Sequence, residues 1–292
     1  MIKILITGAG GQLGQEFKAM EVEYPQIQFY FFTHHDLDIL DEKMLQEVSE
    51  KINPDFIINC AAYTAVDKAE EEQSLSYRIN TLACRSIVNV FEKTNTKIVH
   101  FSSDYVYHTC FGKPLTEDCP TEPKSVYAKS KLEGEDIFKN SSIPSLIIRT
   151  SWVYSPYGSN FVKTMLRLSE TKESLSVVYD QIGAPTYAFD LAKSTLDIIM
   201  NIQKFPEKEH FFNDIYNYAN EGVTSWYDFA TFIFTISGKN TKVYPITSDQ
   251  YPTLAQRPNW SLMSKQKIVK NFQLQIPHWH DALQRCLEKL KD

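Results

Sequence analysis

The sequence predicts an α/β protein: a doubly wound parallel sheet followed by a smaller second domain. Three observations carry this. Short apolar runs alternate with longer segments of helical periodicity through the first half. A glycine-rich turn follows directly on the first of those runs. Beyond about residue 153 the alternation gives way to a mixture of short helical and strand-like pieces.

The runs IKILITG (2–8), FYFFTH (29–34), DFIINCAA (55–62), KIVHFSS (97–103) and SLIIRTSW (145–152) are continuous and rich in β-branched or aromatic residues. Strands with helices on both faces need that composition, because both sets of alternating side chains are buried. Between them, DEKMLQEVSEKI (41–52) and SLSYRINTLACRSIVNVFEK (74–93) place apolar residues at helical spacing, and AKSKLEGEDIF (128–138) reads as a polar helix. Later, NFVKTMLRLSE (160–170), the stretch 187–203 and TSWYDFATFIFTIS (224–237) read as helices. LSVVYD (175–180), IYNYAN (215–220) and KVYPIT (242–247) read as strands, and HDALQRCLEKLKD (280–292) as an amphipathic helix.

Composition narrows the partners. The 292 residues are 43% hydrophobic, enough for a sizeable core, and carry 30 basic against 36 acidic residues. That balance argues against nucleic acid or an anionic membrane as partner. Cys60, Cys84, Cys110, Cys119 and Cys286 are odd in number and contain no C-x-x-C pair, which fits a reducing compartment without a disulfide framework or a metal site. The N-terminus lacks the pattern of a secretory signal, and no apolar run approaches the roughly 20 residues that span a bilayer. A soluble, cytoplasmic protein is expected.

ITGAGGQLGQEF (6–17) places Gly8, Gly11 and Gly14 between the first strand and a helix. Glycine permits the tight turn and close backbone approach, and the helix N-terminus offers free N–H groups to a pyrophosphate. In that context the triplet reads as a dinucleotide-binding Rossmann turn. An acid that would bind a ribose 2′-hydroxyl is missing at the end of the second strand: Thr33, His34 and His35 stand there, with Asp36 slightly late. The absence favours NADP(H), with NAD(H) as the alternative. His34 and His35 read equally as phosphate contacts or as polar loop. The expected division is a dinucleotide-binding domain over residues 1–152, with a returning segment near 187–213, and a discontinuous substrate-binding domain over 153–292.

FSSDYVY (101–107) sets Ser102, Ser103 and Asp104 at the carboxyl end of a strand, where open α/β sheets bind ligands. SVYAKSK (125–131) follows, with Tyr127 and Lys131 four apart on one helix face. A phenol with a pKa of about 10 is a poor acid at neutrality, and a nearby ammonium lowers that value. A serine hydroxyl can hydrogen-bond the carbonyl oxygen that the tyrosine protonates. The chemistry implied is carbonyl reduction: hydride to carbon, proton to oxygen.

The glycine turn, strand-end serine and Y-x-x-x-K, in this order, resemble the extended short-chain dehydrogenase/reductase superfamily. The blocks GGQLG, LDILD, NCAAYTAVDKAEEE, SSDYVY, VYAKSKLEGE, RTSWVYSPYGSNFVKTML, DQIGAPT and RPNWSLMSKQKI, spread over residues 8 to about 268, resemble the dTDP-4-dehydrorhamnose reductase family. That resemblance implies NADPH-dependent reduction of a 4-keto dTDP-sugar on the way to surface polysaccharide. It implies that Gly11, Gln12 and Leu13 touch the pyrophosphate, Asp38 and Ile39 the adenine side, and that Ala62, Tyr63 and Thr64 line the cofactor. It gives Ser103 the ketone, Tyr127 the proton and Lys131 the nicotinamide ribose. Asp104 and Trp152 would contact the sugar nucleotide, and Arg257 its diphosphate, since a guanidinium fork suits phosphate oxygens. A homodimer is the expected assembly.

The chain departs from the family pattern at four places. Ser103 stands where Thr is usual, Ala128 where Gly is common, HTCFG (108–112) where Asp-Gly follows the strand, and Trp260 where a smaller or polar residue is typical. On physics alone Trp152 reads as core and the acidic run 67–72 as a solvated helix start. Two rival functions share these features. One is a nucleotide-sugar dehydratase or epimerase of the same fold; dehydratases usually carry Asp-Glu after the catalytic hydroxyl, and here Asp104 is followed by Tyr105. The other is a non-catalytic homologue resembling the regulatory subunit of methionine adenosyltransferase, against which the intact Ser103–Tyr127–Lys131 set argues.

Overall fold

The structure is a computed structural model that describes residues 1–291. Its centre is a six-stranded sheet formed by β1 (Ile2–Thr7), β2 (Ile27–Phe31), β3 (Phe56–Asn59), β4 (Lys97–Ser103), β5 (Ser145–Thr150) and a sixth strand, Asp214–Tyr218. The order is β2-β1-β3-β4-β5 with the sixth strand beside β5, and every pairing is parallel. The continuous apolar runs are explained by period-two burial on both faces. Ile4 and Ile6 enter one core with Phe17, Phe56 and Ile58, while Leu5 enters the other with Ile57, Ile98 and Ile147. Strand order reverses between β1 and β3, which opens a crevice at their carboxyl ends.

The sixth strand comes from IYNYAN, read above as a piece of the second domain, and it lies just beyond the segment expected to return at 187–213. The helix Ala188–Lys204 covers the first core through Leu191, Leu196, Ile198 and Ile199, next to the helix Gln12–Ala19. A separate apolar cluster holds the rest of the C-terminal half together. There the helices Phe161–Ser169, Trp226–Ser237 and Trp279–Lys289 meet the parallel pair Ser174–Val178 and Lys242–Ile246 around Met165, Val177, Phe229, Ile233 and Leu283. Among the described residues no helix is long and apolar enough to cross a membrane.

The helix Val126–Lys139 starts at Ser125, whose side chain accepts from the Ala128 N–H. Polar as its sequence is, it buries Tyr127, Ala128, Ser130, Lys131, Glu135 and Phe138. Each buried polar group has a partner. Ser130 Oγ accepts from Asn80 Nδ2 (3.0 Å) and donates to the Tyr127 carbonyl (2.9 Å). Glu135 receives Ser102 Oγ and a bidentate fork from Arg149, whose Nη1 also donates to Tyr107 Oη at 2.8 Å. This buried network ties the helix to β4 and β5.

Candidate active site

A cavity of about 1080 Å³ opens at the carboxyl edge of the sheet, roofed by the C-terminal half. It brings together Gly11, Gln12 and Leu13 from the glycine turn, Ala62 and Thr64 from the loop after β3, and Ser103, Tyr127 and Lys131. Asp104, Trp152 and Arg257 line it as well. Four expected residues are not among its lining. Gly8 lies under the turn, and Tyr63 holds Asn80 through its backbone, donating its N–H to Oδ1 at 2.9 Å. Asp38 is exposed and accepts from the Leu40 N–H, and Ile39 packs into the second core.

The glycine turn has the shape a pyrophosphate needs. Gly8 has φ +63°, and a Cβ there would come within 2.5 Å of the Ala61 nitrogen. A Cβ on Gly14 would meet Ala9 Cα at 2.5 Å. The helix Gln12–Ala19 starts at Gly11 with no side-chain cap, so its first N–H groups face the cavity mouth unclaimed by protein side chains. At the end of β2, His34 and His35 are exposed with rings 3.8 Å apart, while Asp36 is turned back on Thr33, accepting its N–H and hydroxyl. No carboxylate projects freely from that strand end.

β4 and the helix Val126–Lys139 set the three central side chains. Of the two strand-end serines, Ser102 is engaged by Glu135, while Ser103 Oγ donates to Asp104 Oδ1 at 3.1 Å and accepts from the Tyr105 N–H at 3.2 Å. Lys131 Nζ donates to the Phe101 carbonyl at 2.6 Å. The Tyr127 ring meets Tyr105 edge-on, 5.6 Å between centroids. Burial pushes the Tyr127 phenol up to about 12; a hydrogen bond with Ser103 pulls it back slightly, and Asp104 raises it further. Lys131 is itself pulled below the usual lysine range by burial, against the opposing pull of Cys84 and Glu135. The sequence-based expectation that Lys131 lowers the Tyr127 pKa is therefore not met: desolvation dominates, and the ammonium is held by a backbone carbonyl.

Asp104 is almost wholly buried. Its Oδ2 has no hydrogen-bond partner among the described residues, and burial raises the carboxyl to about 7 against the weaker pull of Ser261 and Ser103. Trp152, directly after β5, sits at φ +49°, a conformation bulky side chains rarely adopt. Its indole lies flat on Trp226, 3.7 Å between centroids and 12° between planes. On another side it touches Gly183, where a Cβ would stand 3.0 Å from the indole. Trp226 and Phe161, 4.6 Å from one another, complete this aromatic wall. The sequence reading passed over both, because their spacing on amphipathic helices is that of ordinary core residues.

The acidic run is not simply a solvated helix start. Asp67 takes Arg257 in a fork, Nη1 to Oδ1 at 3.0 Å and Nη2 to Oδ2 at 2.6 Å, and this holds its carboxyl below the usual range. Glu70 accepts from the Val126 N–H, and Glu72 accepts from the Tyr63 hydroxyl. The HTCFG departure forms a turn with Cys110 at φ +60° and Gly112 at φ +80°. The Trp260 indole N–H donates to the Lys113 carbonyl at 2.8 Å, so two of the departures pack on one another.

A glycine turn at a helix N-terminus, with serine, tyrosine and lysine gathered at the carboxyl edge of a parallel sheet, defines a nucleotide-dependent oxidoreductase of the short-chain dehydrogenase/reductase class. The chain belongs to the dTDP-4-dehydrorhamnose reductase family: the family model described as RmlD substrate binding domain matches residues 2–292. It is 39% identical to the dTDP-4-dehydrorhamnose reductase of Aggregatibacter actinomycetemcomitans, over 97% of each chain. It is 36% identical to the spore coat polysaccharide biosynthesis protein SpsK of Bacillus subtilis, over 99% of this chain and 98% of that one. The crystal structure of the Bacillus anthracis dTDP-4-dehydrorhamnose reductase in complex with NADP superposes with a TM-score of 0.90 at 36% identity, covering 99% of this chain and 100% of the other.

Proposed function

We propose that this protein reduces the 4-keto group of dTDP-4-dehydro-L-rhamnose to give dTDP-L-rhamnose, a precursor of surface polysaccharide, with NADPH as the preferred reductant and NADH as the lesser one. The observation that carries the reading is the joining of Ser103, Tyr127 and Lys131 in one cavity with the glycine turn, in a chain of this family. The turn and helix N-terminus would hold the pyrophosphate at Gly11, Gln12 and Leu13, with Ala62 and Thr64 beside the cofactor. When bound, the nicotinamide supplies hydride to the sugar C4. Ser103 hydrogen-bonds the ketone oxygen, and Tyr127 donates its phenolic proton to that oxygen as the C–O double bond becomes an alcohol. Lys131, one helical turn on, holds the nicotinamide ribose. Asp104 takes a sugar hydroxyl, Trp152 closes over the ring, and Arg257 takes the diphosphate.

Residues 1–152 with the returning segment serve the cofactor, and the remainder of the C-terminal half serves the sugar nucleotide. The working state is a cytoplasmic homodimer. The test is NADPH oxidation by the purified protein with dTDP-4-dehydro-6-deoxyglucose, with and without the 3,5-epimerase that supplies the L-sugar. Turnover that needs the epimerase, with a higher kcat/KM for NADPH than for NADH, is the expected result. Tightly retained NAD(H) with C4 epimerisation and no net oxidation of NADPH would overturn the reading.

A further inference from the structure

We infer that Asp67 is a positioning residue for the sugar-nucleotide diphosphate, acting through Arg257. The inference rests on the reading of the cavity as a sugar-nucleotide site and extends it to a residue that touches no substrate. A guanidinium carries two bidentate edges: an end fork made by Nη1 and Nη2, and a side fork made by Nε and Nη2. Asp67 occupies the end fork with both carboxylate oxygens, at 3.0 and 2.6 Å. The second Nη1 hydrogen points to the Ala255 carbonyl at 3.4 Å. Asp67 Oδ1 also accepts the Ala255 N–H at 3.2 Å, so one carboxylate grips both the side chain and the backbone of the loop that carries it.

The side fork is what remains. Neither Nε–H nor the second Nη2 hydrogen has an acceptor among the described residues, and Arg257 and Asp67 both line the cavity. An edge of two parallel N–H groups is the complement of two phosphate oxygens. The pair contributes little to stability, because Arg257 is 25% and Asp67 40% exposed. Its effect lies in orientation: a long, rotamer-rich side chain is fixed before the ligand arrives, which spares a cost in affinity of about 2- to 10-fold. Asp67 comes from the first quarter of the chain and Arg257 from the last, so the contact also sets the width of the cavity mouth.

The opposite effect of the same carboxylate is repulsion of the diphosphate and competition for the guanidinium, and the two predict opposite signs. The experiment is calorimetric binding of dTDP and of dTMP, which differ by one phosphate, to wild type, Asp67→Asn, Arg257→Gln and the double variant. Asp67→Asn should weaken dTDP by about 2- to 10-fold, leave dTMP and NADPH nearly unchanged, and raise the KM for the dTDP-sugar without lowering kcat. Arg257→Gln should weaken dTDP at least as much. The double variant should match Arg257→Gln alone, because Asp67 acts only through that side chain, whereas a general structural role would add a second loss. Equal or tighter dTDP binding by Asp67→Asn, or full additivity in the double variant, overturns the inference. Unchanged dTDP binding by Arg257→Gln also overturns it and removes Arg257 from the diphosphate, while leaving the turnover test of the reductase untouched.

Discussion

Asp104 gives the most direct quantitative test of the site's electrostatics. Its carboxyl is buried and titrates near 7, against 3.8 when solvated. A group whose folded pKa is raised contributes stability that is complete below its unfolded pKa and is lost as pH rises through its folded pKa. The difference of about three units corresponds to on the order of 4 kcal/mol, of which about 3 kcal/mol falls between pH 5 and pH 8. Asp104→Asn keeps the shape and removes the titration. Urea unfolding of both proteins without nucleotide, at pH 5 and pH 8, isolates this one group because the other titrating groups are common to both. The variant should gain on the wild type by about 3 kcal/mol on going from pH 5 to pH 8. A difference that stays constant across that range would mean that the carboxyl is solvated and that its burial does not set its charge.

Three further outcomes follow from the geometry. Tyr127→Phe should keep its fold and NADPH affinity yet lose roughly 10²- to 10⁴-fold in single-turnover hydride transfer; in the wild type that rate should not fall between about pH 6 and pH 9, because a phenol raised to about 12 keeps its proton there. A folded Tyr127→Phe protein with near wild-type turnover would exclude the tyrosine as proton donor. Trp152→Ala should raise the KM for the sugar nucleotide more than the Kd of NADPH; loss of NADPH affinity and melting temperature together, with substrate binding intact, would return the indole to a purely structural role. Glu135→Gln should lower the unfolding free energy by about 3–5 kcal/mol, since the buried Arg149 loses its counter-charge; an unchanged urea midpoint would show that the network relaxes.

The sheet was legible because its strands are buried on both faces, and a run such as IKILIT admits few other readings. The glycine turn was legible because its position between strand and helix is part of its meaning. What escaped was whatever depends on partners distant in sequence. IYNYAN looks the same as a strand in either half, and only pairing with β5 assigns it to the main sheet. Asp67 in an acidic run looks solvated until Arg257, 190 residues away, closes on it. AKSKLEGEDIF has the composition of an exposed helix, yet its polar groups are matched one by one to Asn80, Ser102, Arg149 and Phe101. The Tyr127 pKa was misjudged for a related reason: charge spacing along a helix can be read from sequence, but the depth of burial that outweighs it cannot.

The order in which the chain is made bears on how the sheet survives its own synthesis. One face of β1, β3, β4 and β5 is covered by residues that come much later: Leu191, Leu196 and Ile199, then Phe212 and Tyr216, and finally Ile268 and Phe272. A nascent chain that has reached only residue 152 has every strand but the last, with Ile4, Ile6, Phe56, Ile58, Val99 and Leu146 open to solvent on that side. At about 5–20 residues per second, the 120 positions between 152 and 272 leave that face bare for roughly 6–24 seconds, long compared with the collapse of a domain. The half that carries the cofactor turn therefore depends on the half that carries the substrate wall for its solubility as well as for its chemistry, and a truncation at the apparent domain boundary would yield a sticky sheet in place of a nucleotide-binding module.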